Sequence, residues 1–188
     1  MMRPEIVLFG DSITQQSFRP GGWGAALADS YSRKADVKVR GYGGYNTRWA
    51  LFLLQHLFPL DSKKPPAAAT IFFGANDAAV LGRTGERQHV PVEEYKENLR
   101  KIVLHLKECS PTILIVLITP PPVDEDGRNE FARDGLHLTP EGNAVVHQEV
   151  VKVFSEAWLS AAEMPYDFPH HSEIDGKNPE KAFQQRCI

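Results

Sequence analysis

The chain has few cysteines. Only Cys109 and Cys187 occur among its 188 residues, too few for a disulfide framework and in a spacing that does not match a zinc knuckle. We therefore expect two unpaired thiols and a reducing compartment.

An excess of positive charge is also missing. Lysine and arginine total 21 against 24 aspartates and glutamates, which gives a net charge of −3 and a pI of about 6.2. Such a chain lacks the basic field that holds a phosphate backbone. The charge therefore argues against nucleic acid or an anionic membrane as a partner.

Long apolar runs are missing as well. The longest, residues 113–118, is far shorter than the roughly 20 residues that span a bilayer. Too few apolar residues follow the start of the sequence for a signal peptide. We expect a cytoplasmic protein that does not insert into a membrane.

What the sequence does have is the composition of one packed domain. Apolar residues make up 42% and charged residues 24%, which are ordinary globular values, and the length suits a single core. We place this domain at residues 1–160. Beyond it the sequence becomes rich in proline and aromatic residues, which predicts a C-terminal arm at 161–188, packed on the domain or trailing from it.

Short apolar runs alternate with stretches of helical period, a pattern typical of an α/β fold with a mainly parallel sheet and helices on both faces. The expected strands are residues 6–9, 37–40, 69–73 and 113–118. The first long helix is expected to bury a stripe made of Val92, Tyr95, Leu99, Ile102, Val103 and Leu106.

A second long helix is predicted to begin after Thr139. Threonine can cap a helix, Pro140 suits the first helical position, and Glu141 favours the positive end of the helix dipole. Its expected core stripe is Val146, Val150, Val153, Phe154 and Ala157.

Ser12 is the first candidate for chemistry. It follows the first strand in Gly-Asp-Ser, and the carboxyl ends of parallel strands form the edge where open α/β sheets bind ligands. Asp11 is expected to support this turn through hydrogen bonds to backbone N–H groups. The alternative interpretation of Ser12 is a turn or a helix cap.

Asp134 and His137 form a second candidate, just before the capped helix. Their spacing places a carboxylate and an imidazole on one turn, where the first can orient the second. Such a pair can activate a serine hydroxyl, which is a poor nucleophile at neutral pH. A surface hydrogen bond is the alternative.

Two further loops follow strands. Asn76 comes directly after the third strand, so its amide could donate to an oxyanion, and the glycine-rich stretch around Gly44 would let a backbone N–H approach a reacting carbonyl. Either loop could instead be an ordinary turn. The first strand is not followed by the Gly-x-Gly-x-x-Gly turn of a dinucleotide site.

Together these four blocks resemble the SGNH, or GDSL, hydrolase superfamily. Gly-Asp-Ser matches at Ser12, Gly-Tyr-Asn-Thr at Gly44, Gly-Ala-Asn-Asp at Asn76, and Asp-Gly-Leu-His at Asp134 and His137. The stretches around these blocks and the C-terminal tail look like the isoamyl acetate-hydrolysing esterase branch, particularly its plant-type members.

The resemblance implies a three-layer, flavodoxin-like fold with strand order 2-1-3-4-5 and hydrolysis of small carboxylic esters, without a metal or other cofactor. Ser12 would be the nucleophile, His137 the base, and Asp134 the residue that orients the base. The oxyanion would be held by the N–H groups of Ser12 and Gly44 and by the amide of Asn76.

One interval departs from the family pattern. Only residues 123–133 separate the Pro-Pro-Pro block from Asp134, whereas the family normally fits a helix and a fifth strand there, a unit of about 30 residues. Either the chain is a shortened isoform, or the numbering passes over residues that a longer parent contains. If the unit is truly absent, the fourth strand becomes an edge with an exposed apolar run, and the positioning of Asp134 and His137 is affected. The alternative function is a catalytically inactive SGNH-like binding or scaffold protein.

Four aromatic residues have two interpretations. Trp23, Tyr45, Trp49 and Phe52 could line a substrate pocket, but core packing is the more frequent use of such residues.

Overall fold

Four parallel strands form one sheet in the computed structural model, which describes residues 3–122 and 135–184. The strands lie in the order β2-β1-β3-β4. Ile6 of the central strand pairs with Val37 on one side and with Ala68 on the other. The bounds of the strands are β1 (Glu5–Gly10), β2 (Asp36–Gly41), β3 (Ala68–Phe72) and β4 (Leu114–Leu117).

Helices follow the strands and cover both faces of the sheet. Those in the described residues are α1 (Ser12–Gln15), α2 (Trp23–Ser30), α3 (Thr47–Ala50), α4 (Leu54–Leu57), α5 (Val92–Cys109), α6 (Pro140–Ala157) and α7 (Glu180–Gln184). The α/β class predicted from the alternating pattern is therefore confirmed. None of these helices is long and apolar enough to cross a bilayer.

The core is divided in two by the sheet. Ile6 and Leu8 belong to a cluster with Phe154 of α6, whereas Phe9 belongs to a cluster with Ile102 of α5. Successive side chains of a strand point to opposite faces, so the continuous apolar run of β1 supplies both clusters. This gives the three layers expected of the fold.

Two helix stripes differ from the prediction. Val92 of α5 is 73% exposed, and Asn98 is buried in its stead, where its amide donates to the Thr47 hydroxyl at 3.2 Å. On α6, Val153 and Ala157 are exposed, although Val150 and Phe154 are buried as expected. The helical period was right, but the buried stripe of each helix is narrower than predicted, because Val92 and Val153 line open grooves beside β4.

Strand β4 lies at one edge of the described sheet, and β2 lies at the other. Among the described residues, β4 pairs with β3 and with no other strand, and Leu117 is 51% exposed. The predicted edge position of the fourth strand is thus observed. The order expected from the resemblance is present for its first four strands.

The C-terminal segment packs on the domain. The Tyr31 hydroxyl donates to the Leu159 carbonyl at 2.5 Å, and the Arg3 guanidinium donates to the Asp167 carboxylate at 2.7 Å. Arg33 reaches the same carboxylate at 3.3 Å. The stretch around Asp167 is therefore tied to the segment just before β1 and to the loop after α2, while the boundary at residue 160 stays a prediction.

Candidate active site

Ser12 lies at the carboxyl edge of the sheet, as predicted. β1 ends at Gly10, the Asp11 N–H donates to the Phe72 carbonyl at 3.2 Å, and Ser12 is the first residue of α1. The Asp11 carboxylate caps this helix by accepting from the Ile13 N–H at 2.9 Å. The supporting hydrogen bond expected of Asp11 is thus present, and it holds Ser12 just beyond the strand.

Asp11 is an unusual helix cap because it is fully buried. Its Oδ2 has no hydrogen-bond partner among the described residues. Burial raises the pKa of this carboxyl to about 7, the Asp77 charge adds to the rise, and the Ile13 hydrogen bond opposes it. A carboxylate at this position is therefore costly at neutral pH.

His137 is brought to Ser12 from the other end of the chain. Its Nε2 lies 2.9 Å from the Ser12 Oγ, although the two residues are 125 positions apart. With the proton on Nδ1, Nε2 accepts the serine hydroxyl, which is the arrangement a general base needs. The Ser-containing and His-containing sequence blocks, which were predicted to meet, are thus within hydrogen-bond distance of each other.

The start of α6 holds His137 in place. The Thr139 hydroxyl accepts from the Gly142 N–H at 3.1 Å, which is the cap predicted from the sequence. Asn143 in the first turn accepts from the Trp23 N–H at 3.0 Å and donates to the Thr139 carbonyl at 2.8 Å. These bonds fix the N-terminal end of α6 against the N-terminal end of α2. Asp134 lies outside the described residues, so its orienting role stays a prediction.

The loop after β2 passes close to Ser12. A side chain at Gly41 would lie 2.0 Å from the Gln15 backbone nitrogen, so only glycine fits there. Next, the Gly43 N–H donates to the Gln15 Oε1 at 2.6 Å. Gly44 has φ of +78°, a conformation that glycine adopts without strain. The glycines therefore bring this loop against helix α1, which begins at Ser12.

The loop after β3 is tied to the same glycine-rich loop. The Asn76 Nδ2 donates to the Tyr45 carbonyl at 2.9 Å. The Asp77 carboxylate accepts from the Thr47 N–H at 3.0 Å and also from the Thr47 hydroxyl. Burial raises the pKa of Asp77, and the Thr47 hydrogen bonds oppose that rise. Two of the predicted oxyanion-hole loops thus form one unit.

Sequence reasoning missed Gln88 and the role of Asp77. Gln88 contacts both Gly44 and Asn76, and it follows them in a turn with no motif of its own. Asp77 was visible next to Asn76, but its partner Thr47 is 30 positions away. Only the fold shows these contacts.

The four aromatic candidates differ in how far they are buried. Trp23 is fully buried and lies 6.2 Å from the Phe72 ring, whereas Phe52 is 77% exposed. Tyr45 and Trp49 are half-buried and meet edge to face at 5.8 Å. Trp23 is therefore a core residue, which confirms the more frequent interpretation for that one position.

Two cavities lie near the site. The first, of about 140 Å³, is lined by His137 together with Ile13, Arg19 and Leu138. The second, of about 370 Å³, is mainly apolar and is lined by Asp77, Val90, Tyr95 and Pro120, among others. Among the described residues, no group of three or more His, Cys, Asp or Glu side chains is placed to hold a metal ion.

Comparisons with known proteins identify the family of the chain. The model of the GDSL-like Lipase/Acylhydrolase family matches residues 6–132. A GDSL esterase/lipase of Arabidopsis thaliana is 60% identical, with all of both chains covered. The isoamyl acetate-hydrolyzing esterase 1 homolog of Bos taurus is 37% identical over 94% of this chain and 90% of the relative.

Solved structures show the same fold. An acetyl xylan esterase superposes with a TM-score of 0.64 at 20% identity, covering 81% of this chain and 99% of the other. A lipase/acylhydrolase from Enterococcus faecalis gives a TM-score of 0.60 at 22% identity, covering 89% and 100%.

The alignment with the Arabidopsis relative also bears on length. It extends over 242 positions, against 188 residues in this chain, so at least 54 positions have no residue here. This chain is therefore shorter than that protein, and the interval at 123–133 stays the predicted place of the difference. The family match and the identity to full-length relatives show that the chain belongs to the GDSL-like lipase/acylhydrolase family and is a carboxylic ester hydrolase.

Proposed function

We propose that the protein hydrolyses small carboxylic esters, acetyl or short-chain esters in particular, through an acyl-enzyme on Ser12. The observation that carries this proposal is the 2.9 Å distance between the Ser12 Oγ and the His137 Nε2. A serine hydroxyl needs such a base to attack a carbonyl carbon.

The reaction follows from that geometry. His137 takes the hydroxyl proton as the Ser12 Oγ attacks the ester carbon, and the carbonyl oxygen becomes an oxyanion. When the tetrahedral intermediate collapses, the alcohol leaves with the proton from His137. Water, activated by the same imidazole, then releases the acid from the acyl-enzyme. Asp134 would hold the imidazole in the required tautomer.

The oxyanion is assigned to the N–H groups of Ser12 and Gly44 and to the side chain of Asn76. The Asn76 amide has two hydrogens, of which one is donated to the Tyr45 carbonyl. The second is left for the substrate. Donors fixed before the substrate arrives stabilise the transition state because they need no reorganisation.

The preference for small esters is supported by the names of two similar proteins, which specify isoamyl acetate and acetyl xylan as substrates of those proteins or their homologues. We expect kcat/KM to fall from 4-nitrophenyl acetate to the octanoate ester. A cytoplasmic location stays a prediction.

The central test uses a second serine as a matched control. Ser30 is also half-buried and hydrogen-bonded to an imidazole, at 3.0 Å from the His147 Nε2. Its hydroxyl, however, donates to the Ala26 carbonyl, so it is not poised to attack. Hydrolysis of 4-nitrophenyl acetate should be abolished by Ser12→Ala and retained by Ser30→Ala. A fluorophosphonate should label only Ser12.

The alternative is the inactive binding or scaffold protein. It would be favoured if the wild type, folded by circular dichroism and monodisperse in gel filtration, were no faster than Ser12→Ala.

A further inference from the structure

Gln88 connects the two loops that carry the proposed oxyanion donors. It ends a short 3₁₀ turn at Glu86–Gln88 and is half-buried. Its Nε2 donates to the Gly44 carbonyl at 2.8 Å and to the Asn76 Oδ1 at 3.2 Å. One amide group thus contacts both residues at once.

The chemistry of these contacts fixes which way each amide faces. A carbonyl oxygen can only accept, so the Gly44 carbonyl requires the nitrogen of Gln88 to face it. The same NH₂ group then requires Asn76 to present its oxygen. The Asn76 nitrogen is therefore turned away from Gln88, to the side where it meets the Tyr45 carbonyl.

The backbone of Gln88 is held as well. Its carbonyl accepts from the Asn46 Nδ2 at 2.8 Å, and the Asn46 Oδ1 caps α3 through the Trp49 N–H at 2.9 Å. The turn that carries Gln88 is closed by the Val90 N–H, which donates to the Asp77 carbonyl at 3.0 Å. The Gln88 amide is thus presented from an anchored backbone.

We propose that Gln88 is a positioning residue for ester hydrolysis: it orients the Asn76 amide directly, and by holding the Gly44 carbonyl it fixes the backbone on the far side of the Gly44 N–H, so that both donors are aimed before the substrate binds. This inference rests on the proposed function, because the donors matter only if an oxyanion forms. Gln88 itself does not contact the reacting atoms.

Two substitutions test this role. Gln88→Met keeps the length of the side chain but cannot donate. Gln88→Glu keeps the shape and places a carboxylate against two oxygen acceptors, which should turn Asn76 around. We expect kcat for 4-nitrophenyl acetate to fall about 10-fold to 100-fold with KM within twofold, and more in Gln88→Glu than in Gln88→Met. Loss of an oxyanion donor itself costs about 10²- to 10³-fold.

Controls separate positioning from loop stability. Arg87→Gln changes the exposed neighbour in the same turn and should leave kcat and KM unchanged. In an Asn76→Ala background, Gln88→Met should lower kcat by a smaller factor than in the wild type, because part of its effect passes through Asn76.

The outcomes distinguish the two proposals. If Ser12→Ala is inactive while both Gln88 variants keep kcat within twofold of the wild type, the role of Gln88 is refuted and the proposed function stands. It is also refuted if KM rises and the melting temperature falls in step with the loss of activity. It is refuted as well if the factor by which Gln88→Met lowers kcat is the same in the Asn76→Ala background as in the wild type. If Ser12→Ala is as active as the wild type, the proposed function fails, and the role of Gln88 with it.

Discussion

Replacing Asp11 by asparagine should remove a pH-dependent loss of stability. Asp11 is fully buried, one of its oxygens accepts from the Ile13 N–H, and the other has no partner in the described part of the chain. An asparagine can keep the bond to Ile13 through its own oxygen. The substitution therefore removes the titrating carboxyl group and preserves the N-cap of helix α1.

The magnitude follows from the pKa of Asp11. Burial, aided by the Asp77 charge, raises this pKa from 3.8 to about 7 in the folded protein. Because the folded value lies above the unfolded one, the protein is most stable below pH 4 with respect to this group and loses stability as the pH rises to 7. At 1.36 kcal/mol per unit of pKa, the loss between pH 4.5 and pH 8 is about 3 kcal/mol.

The assay is urea unfolding of the wild type and Asp11→Asn at both pH values. The free energy of unfolding of the variant minus that of the wild type should be about 3 kcal/mol larger at pH 8 than at pH 4.5, which means that the variant is relatively more stable at pH 8. Any fixed cost of burying the new amide cancels in this difference. Asp61→Asn, at an exposed site, is the control and should show no such change.

A relative stability that is the same at pH 4.5 and pH 8 would refute the reasoning. It would mean that Asp11 is solvated or paired when folded, so that its charge costs nothing there.

Three further predictions concern the site, a helix and the sheet edge. Asn76→Ala should lower kcat for 4-nitrophenyl acetate by about 10²- to 10³-fold with little change in KM; near-wild-type turnover would remove Asn76 from the oxyanion hole. Thr139→Ala should lower the free energy of unfolding by about 1 kcal/mol, measured in urea, because the buried Gly142 N–H loses its acceptor; Thr139→Ser should restore most of it. Leu117→Lys on β4 should reduce aggregation measured by light scattering, whereas Leu60→Lys, also at an exposed leucine, should not; equal effects of the two would show that the strand edge is not the cause.

The strands could be predicted from sequence because their signal is local. The run from Ile6 to Phe9 is apolar on both faces and ends at a glycine, and the structure buries all of it. The buried residues of α5 were predicted less accurately, because burial depends on which other parts of the protein pack against each turn of the helix. Val92 has the right period but lines an open groove with Leu117 of β4, whereas Asn98 is buried and its amide is satisfied by the Thr47 hydroxyl.

The residues of the candidate site also differ in whether a local sequence signal predicts them. Ser12 and His137 each carry a local signal, a residue after a strand or before a capped helix, and their meeting follows from the order of the fold. Gln88 carries none. Its partners are 44 and 12 positions away, and its turn reads as an ordinary polar loop.

The short interval before Asp134 affects the sheet edge and leaves most of the site's supports in place. Ser12 and the loops of Gly44 and Asn76 follow β1, β2 and β3, whose pairing does not involve β4 except through β3. His137 comes after the interval, but it is held by the start of α6, where Asn143 accepts from the backbone of α2. The contact between Ser12 and His137 therefore depends on β1 and on the start of α6, whereas β4 lies at an edge of the described sheet. Loss of solubility at that edge and loss of catalysis at Ser12 should accordingly be separable by mutation.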